Sequence, residues 1–448
     1  MTRRASEEGI GKPEQEETRG AAFGLPRPGP ALTALTTSAL ALPGIAGSAR
    51  ADAPIERATS SASFSYYKED KLSPSRFESS VGSRERYEVY TGQARFDIPT
   101  SKRTDLGIGL LYEEMSGASP WYVVADTTPG SGGKPLQVMS GATIEDRRFD
   151  LNVDLDFYMD SGKDTLSGGV SLEKDYRSLS FGIGTERNFN DKNTTLSLSG
   201  AASFDEIFPT DPELSTARPA AGEKWSVDVF AGLSQILTRA STIALTVNYK
   251  HSDGYLSDPY KAITDVASTG IFSDRRPDTK EQASFLLRYR HHIEPITASI
   301  HGDYRFYVDD WGVVSHTVEL AWYQNFLEWL TITPSLRWYS QSKADFYEAV
   351  LPAGRLPSER SSDYRLSPYG AVSWKIKADV ELLDLARYDA PRWLQAIGIS
   401  EGLDLIGSLS YERYLSDGDF GLVDVNEAEE APGLVRFHVV AFTLTGRF

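Results

Sequence analysis

At 448 residues the chain is long enough for two or three ordinary domains or for one large β-structure. Its 63 acidic against 46 basic side chains leave a net charge of −17, which argues against a nucleic-acid partner, because a polyphosphate needs a basic face. There is no cysteine, hence no disulfide framework and no thiolate metal site, and after the N-terminal region no apolar run reaches the roughly eighteen residues of a membrane-spanning helix.

Residues 1–51 read as an export signal and N-terminal tail. In "LTALTTSALALPGIAGSARADA" an apolar stretch runs from Leu32 to Ile45, and Ala49-Arg50-Ala51 forms a small-x-small cleavage site before Asp52. Arg3, Arg4, Arg19 and Arg27 supply positive charge ahead of it. The acidic "PEQEET" and the Thr and Ser inside the apolar stretch depart from that pattern, and the competing reading is an Ala/Pro/Gly-rich tail.

Residues 52–448 are expected to form one domain, because after residue 55 the dominant signal is period-two alternation. In "RFDLNVDLDFYMD", Phe149, Leu151, Val153, Leu155 and Phe157 share one face, and Asp150, Asn152, Asp154 and Asp156 share the other. Marking such runs gives about sixteen strands, at 58–67, 86–98, 105–115, 146–158, 164–174, 177–189, 193–204 and 223–236, then 241–250, 280–292, 296–308, 312–325, 329–342, 361–378, 402–414 and 434–448.

Alternate connections are short, such as "PTSKRT", "DSGK", "NDKN", "LTRA", "HHIEP" and "NFLEW". Between them fall long ones at 68–85, 116–145, 205–222, 251–279, 343–360 and 415–433, with short exceptions near 174–177 and 309–312. This sorting is that of an all-β, up-and-down antiparallel transmembrane β-barrel, with short periplasmic turns and long extracellular loops. The expected location is the bacterial outer membrane, with the apolar faces toward lipid and the polar faces inward. One short-side connection is long. The segment 379–401, "DVELLDLARYDAPRWLQAIGIS" with its flanks, is expected to be partly helical, with Pro391 in a first turn behind Asp389 and an apolar stripe of Trp393, Leu394 and Ile397. It would pack as a lid on the barrel rim, plug the periplasmic mouth or contact a periplasmic protein.

The chain ends "VVAFTLTGRF". Val440, Phe442, Leu444 and the terminal Phe448 resemble the signal read by barrel-insertion machinery, with Gly446 in place of the usual bulky residue. Five internal stretches, "SGASPWYV", "SGATIEDRRFD", "GYLSDPYK", "YRFYVDDWGVVSHTVEL" and "SDYRLSPYGAVSWKIKA", together resemble an uncharacterised outer-membrane barrel family, domain of unknown function 3570. The resemblance covers nearly all of the chain after the signal region. It implies location and architecture and carries over no activity or functional residue.

Charges on the polar faces are the candidates for function. Asp150, Asp154 and Asp156 lie on one expected wall; Arg288, Arg290, His301, Arg305, Arg337, Arg365 and Lys375, with His292 and Lys377, lie on the other. Opposed charges of this kind set ion selectivity in pores, and equally they can pair and fill the lumen as a structural network. Enzyme motifs fail. "GSGGKP" at Lys134 lacks the spacing of a phosphate loop, "DFG" at 419–421 has no kinase companions, and "SHT" around His316 has no nucleophile motif. No metal site and no cofactor are expected, since the six His are scattered and the acidic loops lack calcium-loop spacing. The expected function is porin-like passage of small solutes or ions, not enzymatic catalysis. The alternative is a scaffold with a blocked lumen that binds a periplasmic or surface partner. Outer-membrane lipid and the insertion machinery are the expected partners, and nucleic acid is not.

Overall fold

The structure is a computed structural model and describes residues 54–79, 82–118, 120–140, 144–209, 221–266, 270–384, 403–423, 425 and 433–448. The expected export signal, and residues 385–401 of the expected helical segment, lie outside the described residues. The strands are β1 (Thr59–Glu69), β2 (Glu88–Ser101), β3 (Thr104–Gly117), β4 (Pro120–Ala125), β5 (Pro135–Met139), β6 (Ile144–Met159), β7 (Gly162–Leu172), β8 (Tyr176–Phe189), β9 (Thr194–Ile207) and β10 (Gly222–Thr238). They continue as β11 (Ser241–Gly254), β12 (Ala262–Thr264), β13 (Ile271–Ser273), β14 (Thr279–Ile293), β15 (Ala298–Asp309), β16 (Val314–Leu327), β17 (Leu330–Gln341), β18 (Tyr369–Asp384), β19 (Asp404–Asp417) and β20 (Arg436–Arg447).

All but β4, β5, β12 and β13 join one closed antiparallel barrel of sixteen strands, each paired with its neighbours in chain order. Closure is made by β1 on β20, in register from Thr59↔Arg447 to Glu69↔Phe437, and the Phe448 amide donates to the Ala58 carbonyl at 2.9 Å. A closed ladder leaves no edge, so the backbone groups of every strand are satisfied on both sides. Alternation then sorts the side chains. Phe149, Val153 and Phe157 of β6 are exposed on the outside, while Asp150 and Asp156 between them are buried on the inside. The outward positions of the other strands repeat this, as with Phe64, Phe96, Phe181, Val229, Phe285, Leu320, Trp374 and Phe442. No helix among the described residues is long and apolar enough to cross a membrane.

Most observed strands lie within three residues of the expected spans. β18 departs furthest: it starts at Tyr369, not at 361, and runs on to Asp384, so residues 379–384 of the expected partly helical segment are strand. The cause is local. Asp363 accepts the Arg365 amide at 3.1 Å and caps a turn of 3-10 helix at Tyr364–Leu366, and Pro368, lacking an N–H, then delays entry into the ladder. Arg365 therefore sits in the loop and not on the barrel wall.

The long loops carry structure that alternation does not announce. β4 and β5 form a hairpin between β3 and β6, turning through Gly130, Gly132 and Gly133 at positive φ, so the "GSGGKP" stretch is a hairpin tip. β12 and β13 form a smaller one between β11 and β14. The loops pack on each other. Lys261 donates to the Pro120 carbonyl and Thr264 to the Val123 carbonyl at 2.6 Å, joining the loop after β11 to the loop after β3. Six strands separate those two loops around one side of the barrel and ten around the other, so the contact spans the mouth. Val123, Trp311, Val313, Tyr347 and Leu366, from three different loops, close a buried apolar core there. Tyr364, from the loop before β18, reaches the inward-facing Tyr67, Val89, Met115, Phe437 and Val439 of β1, β2, β3 and β20. The long-loop end of the barrel thus carries a packed cap.

Candidate functional site

The site is a charged lumen beneath that cap. Inward positions of β2, β3, β6 and β7 carry Asp97, Asp105, Glu113, Asp146, Asp150, Asp154 and Asp156 against Arg95, Arg148 and Lys163. Half the barrel away in strand order, β14 to β18 carry Lys280, Arg288, Arg290, Arg305, Arg337, Lys375 and Lys377 against Asp303, Asp309, Glu319 and Asp379. Between them β7, β8 and β9 present mostly Ser, Gly and Thr inward, side chains too short to fill the interior.

On the acidic wall Asp150, Asp154 and Asp156 each have a base beside them. Arg148 donates to Asp150 at 2.8 Å, and Arg95 donates to Asp154 at 2.9 Å while also holding Asp97. Asp156, fully buried, accepts from Thr165 at 2.6 Å with Lys163 at 3.7 Å. These acids are tied into a local network along their own wall instead of standing free toward the opposite one. On the basic wall, Arg288 and Arg290 share one carboxylate, Asp303, at 3.7 and 3.1 Å. His301 packs its ring 4.2 Å from that of Tyr323. Lys377 pairs with Asp379 at 2.8 Å. Arg305, Arg337 and Lys375 have no hydrogen-bond or ion-pair partner among the described residues, and Arg305 is solvent-exposed although it points inward.

Arg365 belongs to a second constellation, inside the cap. Its guanidinium donates to Asp363 at 2.8 Å and to Asp258 at 2.7 Å, while Arg276 bridges Asp363 at 2.9 Å and Asp274 at 2.8 Å. Burial alone would raise the Asp363 carboxyl, but Arg365 and Arg276 outweigh it and hold the group below the usual carboxylate range. Lys261, buried beside them, is pushed down to about 8 by burial, against the pull of Asp363 and Asp258. Such a network is costly to desolvate and costly to break, so it fixes the arrangement of the loops that supply it.

A third group lies at the rim. Asp146, Glu173 and Asp175 bring one carboxylate oxygen each within 4.8 Å of one another, and Tyr260 donates to Asp175. Burial first, then Asp146, pushes Glu173 up to about 8, so that Glu173 holds its proton at neutral pH. His316 lies on the outer face, its Nδ1 2.9 Å from the Tyr304 hydroxyl, as befits an interfacial position.

A model for a protein family of unknown function, DUF3570, matches residues 32–391. The chain belongs to that family. No curated protein matches it. Among solved structures it is similar to a FadL homologue of Pseudomonas aeruginosa (10% identity, TM-score 0.37, 87% of this chain and 90% of that one). It is also similar to the outer membrane protein OprD of Pseudomonas aeruginosa (9%, 0.36, 88% and 94%) and to a bacterial polysaccharide outer membrane secretin (8%, 0.43, 88% and 99%). The DUF3570 chain forms a closed antiparallel barrel of sixteen strands.

The segments that carry the family resemblance supply the cap. "GYLSDPYK" contains Asp258 and Lys261, "SDYRLSP" contains Asp363 and Arg365, and "SGASPWYV" contains Pro120 and Val123. Sequence reasoning missed Asp258, Asp274, Arg276 and Lys261, because nothing in a strand pattern says which loops meet. The β4–β5 hairpin did leave a signal: "WYVV" and "LQVM" flank a Gly-rich turn.

Proposed function

We propose that this barrel lies in the bacterial outer membrane and passes small solutes through its lumen, with the cap as the closed state of the long-loop mouth. The observation that carries the reading is Arg305, an inward-facing, solvent-exposed cation at mid-strand with no hydrogen-bond or ion-pair partner among the described residues, in an interior lined on one side by short side chains. A barrel whose interior served only structure would fill such a position or pair it. Opposed walls of unequal charge would orient and select ions in transit.

A second reading is favoured by the cap. Loops cross-linked through buried ion pairs suit a scaffold whose lumen stays shut and whose outer surface, or the 379–401 segment, engages a partner. Planar-bilayer conductance of the refolded barrel decides, measured beside an Asp363→Ala variant that removes the centre of the cap network. Steady or cap-dependent conductance supports passage. Silence in both, with the barrel shown to be closed by its heat-dependent gel mobility, supports the scaffold.

A further inference from the structure

We propose that Arg305, Arg337 and Lys375 form a binding site for small carboxylates at mid-height on the basic wall of the lumen. The proposal extends the passage reading, needing from it only that a solute can reach the interior.

The three residues come from β15, β17 and β18, each near the middle of its strand. Register staggers them in steps of two residues along the wall. Arg305 pairs with Thr317 and Thr317 with Tyr339, two residues from Arg337; Lys375 pairs with Ser335, two residues from Arg337 on the other side. Arg305 and Arg337, two strands apart and offset by two residues, have backbones about 12 Å from each other, a span that two long guanidinium side chains can close over one ligand. They are near enough to repel each other.

Partnering separates these three from the rest of the wall. Lys280, Arg288, Arg290 and Lys377 each have an acid within ion-pair distance, as do Arg95, Arg148, Lys163 and Lys224 elsewhere in the lumen. Lys250 also lacks one among the described residues, but it stands on β11, two strands from β15 and level with Asp309, nearer the long-loop end than Arg305. The carboxylates available to the three are few. Asp303 is taken by Arg288 and Arg290; Glu319 is the cross-strand partner of Arg337, and Glu412 that of Lys375, yet neither forms an ion pair. Three cations against two carboxylates leave a net positive site in an otherwise acidic protein. Holding like charges together is unfavourable unless an anion neutralises them. The guanidinium fork matches a two-oxygen acceptor, so a carboxylate fits better than a halide, and Thr317, Ser373 and Ser335 put hydroxyls across from Arg305, Arg337 and Lys375 in turn.

The test is isothermal titration of the refolded full barrel in detergent at low salt. Succinate is the probe, and chloride and 1,4-diaminobutane are the comparisons. Saturable succinate binding is expected, with affinity falling by about tenfold or more in the Arg305→Gln/Arg337→Gln variant and falling less in Arg305→Lys/Arg337→Lys. Arg413→Gln, on the outer rim, should match the unaltered protein. Equal binding of succinate and chloride, or binding indifferent to the Gln pair in a variant whose gel mobility shows a closed barrel, would overturn the site. Conductance on the same preparations separates the two proposals. A conducting barrel that binds no succinate refutes the site and leaves passage standing. A silent barrel with Arg305-dependent succinate binding keeps the site and removes passage.

Discussion

The Arg86 guanidinium lies over the Tyr364 ring, its central carbon 5.4 Å from the ring centre, and donates to the buried Glu69 at 2.7 Å. Arg86 comes from the loop between β1 and β2, Tyr364 from the loop between β17 and β18, and a second donation at 3.1 Å reaches the Gly433 carbonyl in the loop before β20. One side chain thus ties three loops to the inner wall. Arg86→Ala would leave Glu69 charged and almost fully buried, with only the Tyr67 hydroxyl at 2.8 Å to support it. Breaking a buried pair from one side costs about 3–5 kcal/mol. Hydrogen exchange should therefore show residues 344–366 losing protection, while the amides of β6 to β11 remain unaffected.

Acid should open the cap late. Asp363 is held below the ordinary carboxylate range by Arg365 and Arg276, against the effect of burial. A depressed carboxyl contributes stability that is complete above its unfolded value of about 3.9, and the contribution disappears only as pH falls toward the folded value. Pepsin at about pH 4 should accordingly leave the loop before β18 uncut, with cleavage appearing near pH 2. The Asp363→Asn variant, which leaves two buried guanidiniums short of a counter-charge, should be cut at both. Equal resistance of the two proteins at about pH 4 would show that the ion network does not hold the cap.

These loop contacts mark the limit of what the sequence makes legible. Alternation in β6 located Phe149 and Asp150 on opposite faces because side-chain direction in a strand depends only on parity. The connection lengths fixed which ends turn tightly. Nothing local could pair Lys261 with Pro120 or Arg276 with Asp363, since those contacts depend on how loops far apart in the chain meet over the mouth. Arg365 shows the same limit in miniature: its parity suited a strand, but the Asp363 cap and Pro368 kept it in the loop. The acids of β6 were legible as inward-facing, but their bases came from β2 and β7 and from two residues along β6 itself, so the local pairing emerged only with the register.

The rim trio should make stability fall with rising pH. Glu173 sits at about 8, raised by burial and by Asp146, and its Oε1 is buried without a partner. Between the unfolded value of about 4.3 and the folded value, the folded state keeps a proton that the unfolded chain has released. Stability therefore declines through that window and does not recover above it. Glu173→Gln keeps the shape and removes the titration. Urea unfolding should give a flatter pH profile for the variant, which overtakes the unaltered protein toward pH 9 by about 1–2 kcal/mol. Identical profiles would mean that Glu173 does not carry the titration.

The C-terminus offers a way to separate assembly from stability. Val440, Phe442 and Leu444 occupy the outer face of β20, where Val440 and Phe442 are exposed. Phe448 is also exposed, and it contributes to closure only its amide, donated to Ala58 at 2.9 Å. Deleting Phe448 removes one hydrogen bond at the end of a ladder that runs from Arg447 back to Phe437 on the β1 side, a loss of about 1 kcal/mol. The refolded barrel should hardly notice. If the terminal ring serves recognition by insertion machinery, the same deletion should sharply lower the amount of folded protein in the outer membrane of expressing cells, and Phe448→Tyr should restore it. A deletion that lowers stability and membrane yield in proportion would place the role of Phe448 in closure. A deletion that changes neither would leave the alternating Val440, Phe442 and Leu444 to carry any signal by themselves.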